Sequence, residues 1–299
     1  MASHRTSCQL VFLLLYTAVS LIASDKPPRP KHPLPPKPAA WKPVQHESYV
    51  AYWTLEAGWN TRLEIRNNVP LHDLSVIPVL RTAAGTETLF PSVTISPNEI
   101  KELNLRVLAV AAAPNLLDKP TSFGSVALRF NSNDAPNIFS STVVERTGSP
   151  IGFHFDGDES SDLPDNNGSI ESVWWLPTST ATDYLLLSNS SVKPLNADVV
   201  LTDASGKMAA QNIGIGPAQT KRLDIRDLVT RAQLQGSQGG VSIRVQAGVG
   251  ALEAAQIVFD DATGFAVTMK TFEKDTSEQP GRARGSCAHD GSRFSRPSA

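Results

Sequence analysis

Two clusters of aromatic residues are the side chains of this sequence whose types and spacing best suit a chemical task. Tyr49, Tyr52, Trp53 and Trp59 open one region of the chain. Trp174 and Trp175 open another, at nearly the same distance from the next apolar segment. Flat aromatic faces stack on pyranose rings, and an exposed aromatic pair can carry much of the affinity of a sugar-binding module. Trp53, Trp59, Trp174 and Trp175 are therefore the candidate ligand-binding residues. The competing expectation is that one tryptophan of each group fills a hydrophobic core. Trp174 and Trp175 are adjacent, so on a strand they face opposite sides, and at least one of them should lie away from the core.

Other chemistry finds little support. G-x-S-x-G, H-E-x-x-H, G-x-x-x-x-G-K-[ST] and a G-x-G-x-x-G after a strand are all absent. His32, His46, His72, His154 and His289 form no pair with metal-ligand spacing, and nothing in the sequence supports a Ser-His-Asp set assembled in space. The acidic run from Asp156 to Gly168 offers oxygens of the kind calcium takes, but lacks the EF-hand order. It reads as a solvated hinge. The expectation is no catalytic residue, no metal site and no cofactor.

The elements that must position the aromatics come in two copies. Pro97 to Arg106 (PNEIKELNLR) recurs as Pro217 to Arg226 (PAQTKRLDIR), and Gly124 to Phe130 (GSVALRF) recurs as Gly239 to Val245 (GGVSIRV). The offset of about 115 to 122 residues is the size of a domain, too long for a solenoid unit. Within the first copy apolar residues alternate: Leu63 and Ile65; Leu74, Val76 and Val79; Val93 and Ile95; Leu103 and Leu105; Val126, Leu128 and Phe130. The second copy follows with Tyr184 to Leu187, Ala197 to Leu201, Ile213 and Ile215, Leu223 and Ile225, Val241 to Val245, and Ile257 to Phe259. Period-two alternation broken every eight to twelve residues by turn residues, such as Asp203 to Gly206, predicts short antiparallel strands. Leu105 to Leu117 is helical in pattern, but Pro114 argues for a turn or loop there.

The expected fold is all-β: two tandem antiparallel β-sandwich domains, immunoglobulin-like or jelly-roll-like, over residues 47–155 and 171–272. An acidic hinge, 156–170, joins them. Residues 1–24 read as a signal peptide, since the apolar run Leu10 to Ala23 ends among small residues and spans about 21 Å as a helix, short of the bilayer's roughly 30 Å. No membrane span is expected after cleavage. Residues 25–46, rich in proline and lysine, suit a polyproline II spacer reaching about 60 Å. Residues 273–299, almost without apolar content, should be disordered, and their abrupt change of character also fits a truncated or frameshifted end. The only cysteines are Cys8 and Cys287, so no disulfide forms within a cleaved chain, which suits a bacterial exported protein, secreted, periplasmic or in the cell envelope. A net charge of −2 gives no reason to expect nucleic acid.

Tyr184 to Asn189 (YLLLSN), Ala197 to Leu201 (ADVVL) and Pro217 to Leu228 (PAQTKRLDIRDL), with Pro97 to Leu108 as first-copy counterpart, resemble the sensory rhodopsin transducer family and secreted bacterial proteins similar to it. That resemblance implies a β-sandwich that oligomerises and works by binding, without catalysis. The export signal, the spacer and the two copies set this chain apart from it. The function expected is an exported, non-catalytic binding module for polysaccharide or another envelope component. The alternatives are a structural or assembly protein, whose sandwiches oligomerise or pair with partner subunits, and a hydrolase with an unrecognised site.

Overall fold

The computed structural model describes residues 44–132, 138–159, 168–245 and 251–275. The expected leader (1–24), nearly all of the spacer, the centre of the acidic hinge and the tail beyond 275 lie outside the described residues, as do Cys8 and Cys287. Among the described residues no helix is long and apolar enough to cross a membrane.

The first half runs β1 (Val44–Thr54), β2 (Trp59–Asn67), β3 (Leu74–Thr82), β4 (Glu87–Leu89), β5 (Val93–Ile95), β6 (Ile100–Asn104), α1 (Leu105–Ala112), a 3-10 turn (Pro114–Leu116), β7 (Phe123–Ser132), β8 (Ile138–Arg146) and β9 (Gly152–Glu159). The second runs β10 (Gly168–Trp175), β11 (Thr182–Asn189), β12 (Leu195–Asp203), β13 (Met208–Ile215), β14 (Thr220–Asp224), α2 (Ile225–Ala232), β15 (Gln238–Val245), β16 (Leu252–Asp260), β17 (Phe265–Met269) and β18 (Phe272–Asp275). The described residues form an all-β fold, with two short α-helices and antiparallel pairing among their strands. In the first half the order is β4-β3-β7-β1-β9-β8-β2-β6, a single sheet curled on itself because β9 pairs with β1, while β5 also pairs with β3. The second half repeats the order in two separate sheets, β13-β12-β15-β10-β18 and β14-β11-β16-β17. There β18 occupies the edge of β10. Residues 272–275 are thus strand, where the sequence suggested a disordered tail from 273.

The two recurring motifs are structural devices. Pro97 and Pro217 each open a tight turn whose next residue, Asn98 (φ 59°) or Ala218 (φ 57°), is left-handed. A short strand follows, then a helix, with Asn104 or Asp224 as N-cap accepting from backbone N–H groups of the first turn. Arg106 then donates to the carbonyls of Leu55, Glu56 and Trp59, and Arg226 to those of Thr178 and Ala181. Each arginine ties down the loop that joins the first two strands of its half. The expectation of a loop over Leu105 to Leu117 is corrected. Pro114 begins the 3-10 turn after α1 has ended, where its missing N–H costs nothing. The second helix, read as strand from Leu223 and Ile225, is the same correction.

Asn67 and Asn189 match as well. Both are fully buried, and each accepts from an N–H of the following turn (Val69 or Ser191), donates to a carbonyl there (His72 or Lys193) and donates to the end of a later strand (Ile95 or Ile215).

The halves do not have wholly separate interiors. Leu185, Leu186 and Leu187 are all without exposed surface, and side chains alternate along a strand, so both faces of β11 are covered. Leu185 and Leu187 belong to the core of the second half. Leu186, with Ala255, Ile257 and Phe259 of β16, packs into the core of the first. The two halves accordingly group as one compact unit.

Candidate functional site

Where the two halves meet, a cleft of about 410 Å³ opens. One wall comes from β2, β8 and β9, whose registers place Trp59 opposite Arg146 and Val144 opposite Phe153. The other wall is the outward face of the second half's four-stranded sheet. Arg222 stands opposite Leu186 there, and Tyr184 opposite Ile257.

Aromatic rings line the contact. Trp59 stacks on Phe153 (centroids 6.0 Å, 27°) and meets Phe259 edge-on (5.7 Å, 79°), and Tyr184 meets Phe259 edge-on at 5.9 Å. These separations and tilts are the favourable ones for aromatic pairs. Trp59 is half-buried and lines the cleft.

Charges sit among the rings in pairs. Arg222 donates to both carboxylate oxygens of Glu56 (2.6 and 3.0 Å) and to the Tyr52 hydroxyl (3.3 Å), with its guanidinium 4.2 Å from the centre of Phe123 and 4.8 Å from that of Tyr184. Burial works against its charge, yet the bonds to Glu56 outweigh that and leave its pKa raised. Burial also pushes the Tyr52 hydroxyl up to about 12, so it stays protonated. Arg146 pairs with Asp261 across the halves at 2.7 Å and lies 5.3 Å from the Trp59 ring centre, and Arg106 pairs with Asp118 at 2.9 Å. The three carboxylates lining the cleft, Glu56, Asp118 and Asp261, thus each have an arginine partner.

The Glu56–Arg222 pair joins the halves, with side chains 16% and 19% exposed. Arg222→Met keeps most of the packing but strands the Glu56 carboxylate, and should cost about 2 kcal/mol, discounted from a fully buried pair for this residual exposure. Adding Glu56→Gln should recover part of the loss. Urea unfolding of both single variants and the double variant checks this, and a double-variant loss equal to the sum of the two single losses would show that the two charges do not interact.

The four tryptophans singled out from the sequence are not brought together. Trp53 and Trp174 have no exposed surface. Trp53 donates its indole N–H to the carbonyls of Arg81 and Ser125, and Trp174 to that of Thr202. One tryptophan of each group therefore lies in a core, and neither offers a face to a ligand. Trp175, half-buried, meets Phe265 edge-on at 5.3 Å beside a shallow depression, while Trp59 lies in the cleft. Tyr49 is buried beneath the Arg81 guanidinium, 4.6 Å away.

Sequence reasoning missed Glu56, Arg146, Arg222, Phe153 and Phe259. One available signal was the unbroken apolar run Tyr184 to Leu187, which marks a strand covered on both faces. Among the described residues no group of three or more histidine, cysteine, aspartate or glutamate side chains could hold a metal ion. Comparison with protein-family models, curated proteins and solved structures gives no match.

Proposed function

We propose that the chain is an exported, non-catalytic binding protein, built as two tandem β-sandwiches, whose cleft between the halves takes a sugar unit of an envelope polysaccharide. The observation that carries the reading is the combination in one cleft of a half-buried tryptophan and paired arginine and carboxylate groups. A pyranose presents an apolar face to stack on a ring and an equatorial fringe of hydroxyls that needs fixed donors and acceptors. Trp59 supplies the first, and Arg146 with Asp261 and Arg222 with Glu56 supply the second.

The pairing of the cleft carboxylates supports binding without turnover. A general acid of a glycosidase needs a carboxyl held protonated by apolar surroundings. Each carboxylate of this cleft is instead bonded to a guanidinium.

The test is retention on a glycan array and on fractionated envelope polysaccharide. Trp59→Ala should weaken binding of the retained glycan at least about tenfold while the circular dichroism spectrum is unchanged, and Trp175→Ala should leave it unaltered. No retention of any glycan by the wild type would sink the reading.

A further inference from the structure

The outermost strand of the second half differs from its counterpart in the first in a way that matters for association. In the first half this edge is two three-residue pieces, β4 and β5, separated by Phe90, Pro91 and Ser92, with Phe90 buried. Breaking an edge with proline and keeping it short are the usual protections against pairing with another chain. In the second half the same place is held by β13, eight continuous residues (MAAQNIGI) with neither proline nor charge, paired among the described residues with β12 alone.

Beside β13 an apolar groove of about 270 Å³ lies between the strand and α2, lined by Val199, Leu201, Ala209, Gln211, Leu228 and Arg231. Ile213 and Ile215 point inward from β13 and are buried, so Gln211 and Ala209 share their face. Gln211 is nevertheless exposed, since no described residue beyond the edge covers it.

We propose that β13 pairs antiparallel with β13 of a second copy, joining two five-stranded sheets into one around a two-fold axis. The occupant follows from self-complementarity. An uncharged strand meets no like charge when it pairs with itself. The helix bordering the groove carries Asp227 in its first turn and Arg231 in its last, so a two-fold partner running the opposite way presents each charge with its opposite. Both Asp227 and Arg231 are exposed. Pairing satisfies the open N–H and C=O row of β13 and lets the inward side chains of each strand close the groove of the other.

Sedimentation of the full chain across a dilution series, with hydrogen exchange of those amides within 209–213 that point away from β12, tests the proposal at the same concentrations. The expected result is a reversible dimer in which these outward-facing amides are protected in step with dimer formation. Gln211→Lys, an inward-pointing charge at the edge, should lower dimer affinity at least about tenfold without changing the spectrum of the monomer. If that variant fails to fold, the exchange of wild-type amides on dilution decides alone. A monomer with unprotected amides overturns the proposal. So does a monomer protected at every dilution, which would assign the edge to a segment of its own chain, and so does a dimer in which these amides stay unprotected.

Discussion

Gly239→Ala should cost about 3 kcal/mol or more, whereas the same change one residue on, Gly240→Ala, should stay within about 1 kcal/mol. The difference lies in what a methyl group meets. At Gly239 it would fall on the carbonyl oxygen of Thr202 and 2.5 Å from the indole nitrogen of Trp174, the two atoms that bond each other at 3.2 Å. Neither can give way, since one is backbone and the other a ring locked in the core. At Gly240 the nearest atom is the Thr202 Cβ at 4.0 Å, an ordinary contact. The first half repeats the arrangement: a methyl at Gly124 would fall on the Arg81 carbonyl that accepts from Trp53. The glycine opening each copy of the second recurring motif is thus required by the tryptophan of that copy. Urea midpoints for the two variants would decide, and equal midpoints would refute this account of the motif.

Asp183→Asn should stabilise the protein at pH 8 by up to about 4 kcal/mol and have little effect near pH 4. Asp183 has no exposed surface, and burial pushes its carboxyl up from the usual 3.8 to about 7, against the lowering effect of bonds from the Trp175 N–H and the Gln256 amide. The raised pKa means that the folded chain holds a proton through a range where the unfolded chain has lost it. Stability from this group is therefore greatest in acid, falls as pH rises from about 4 to about 7, and is level above. Asparagine cannot ionise and removes that fall. Its carbonyl can still accept from the Trp175 N–H, and Gln256, which also accepts from Ser172 at 2.8 Å, can turn its amide to match. Glu87, Asp203 and Asp260, whose carboxyls are held low by hydrogen bonds, act in the opposite direction, but they are common to both chains and cancel in the difference. A stability difference that does not shrink between pH 8 and pH 4 would show that Asp183 is not protonated in the fold.

The parts of the fold legible in the sequence were those governed by local pattern. Alternation in Leu63 and Ile65, or in Val126, Leu128 and Phe130, marks the strands β2 and β7, because one face of each meets the core. Asp203 to Gly206 closes a hairpin as its residue types require, with Gly206 left-handed at φ 84°. The helices were obscured by their shortness. Eight residues give barely two turns of periodicity, and the two-residue spacing of Leu223 and Ile225 imitates a strand, although Asp224 before an apolar turn is an N-cap signal. Of the cleft, the sequence pointed to Tyr52 and Trp59 but to neither Phe153 nor Phe259. Its arginine and carboxylate pairs join Glu56 to Arg222 and Arg146 to Asp261, residues more than a hundred positions apart, and only the packing of one half on the other brings them together. Adjacent Trp174 and Trp175 do face opposite ways, but the cleft uses neither.

The most direct test is to follow the amide and indole resonances of the full chain while adding a fragmented envelope polysaccharide. The account predicts saturable shifts concentrated at Trp59, Arg146, Arg222 and Phe259, on both walls of the cleft at once. Shifts confined to the surface around Trp175, or none at saturation, would contradict it.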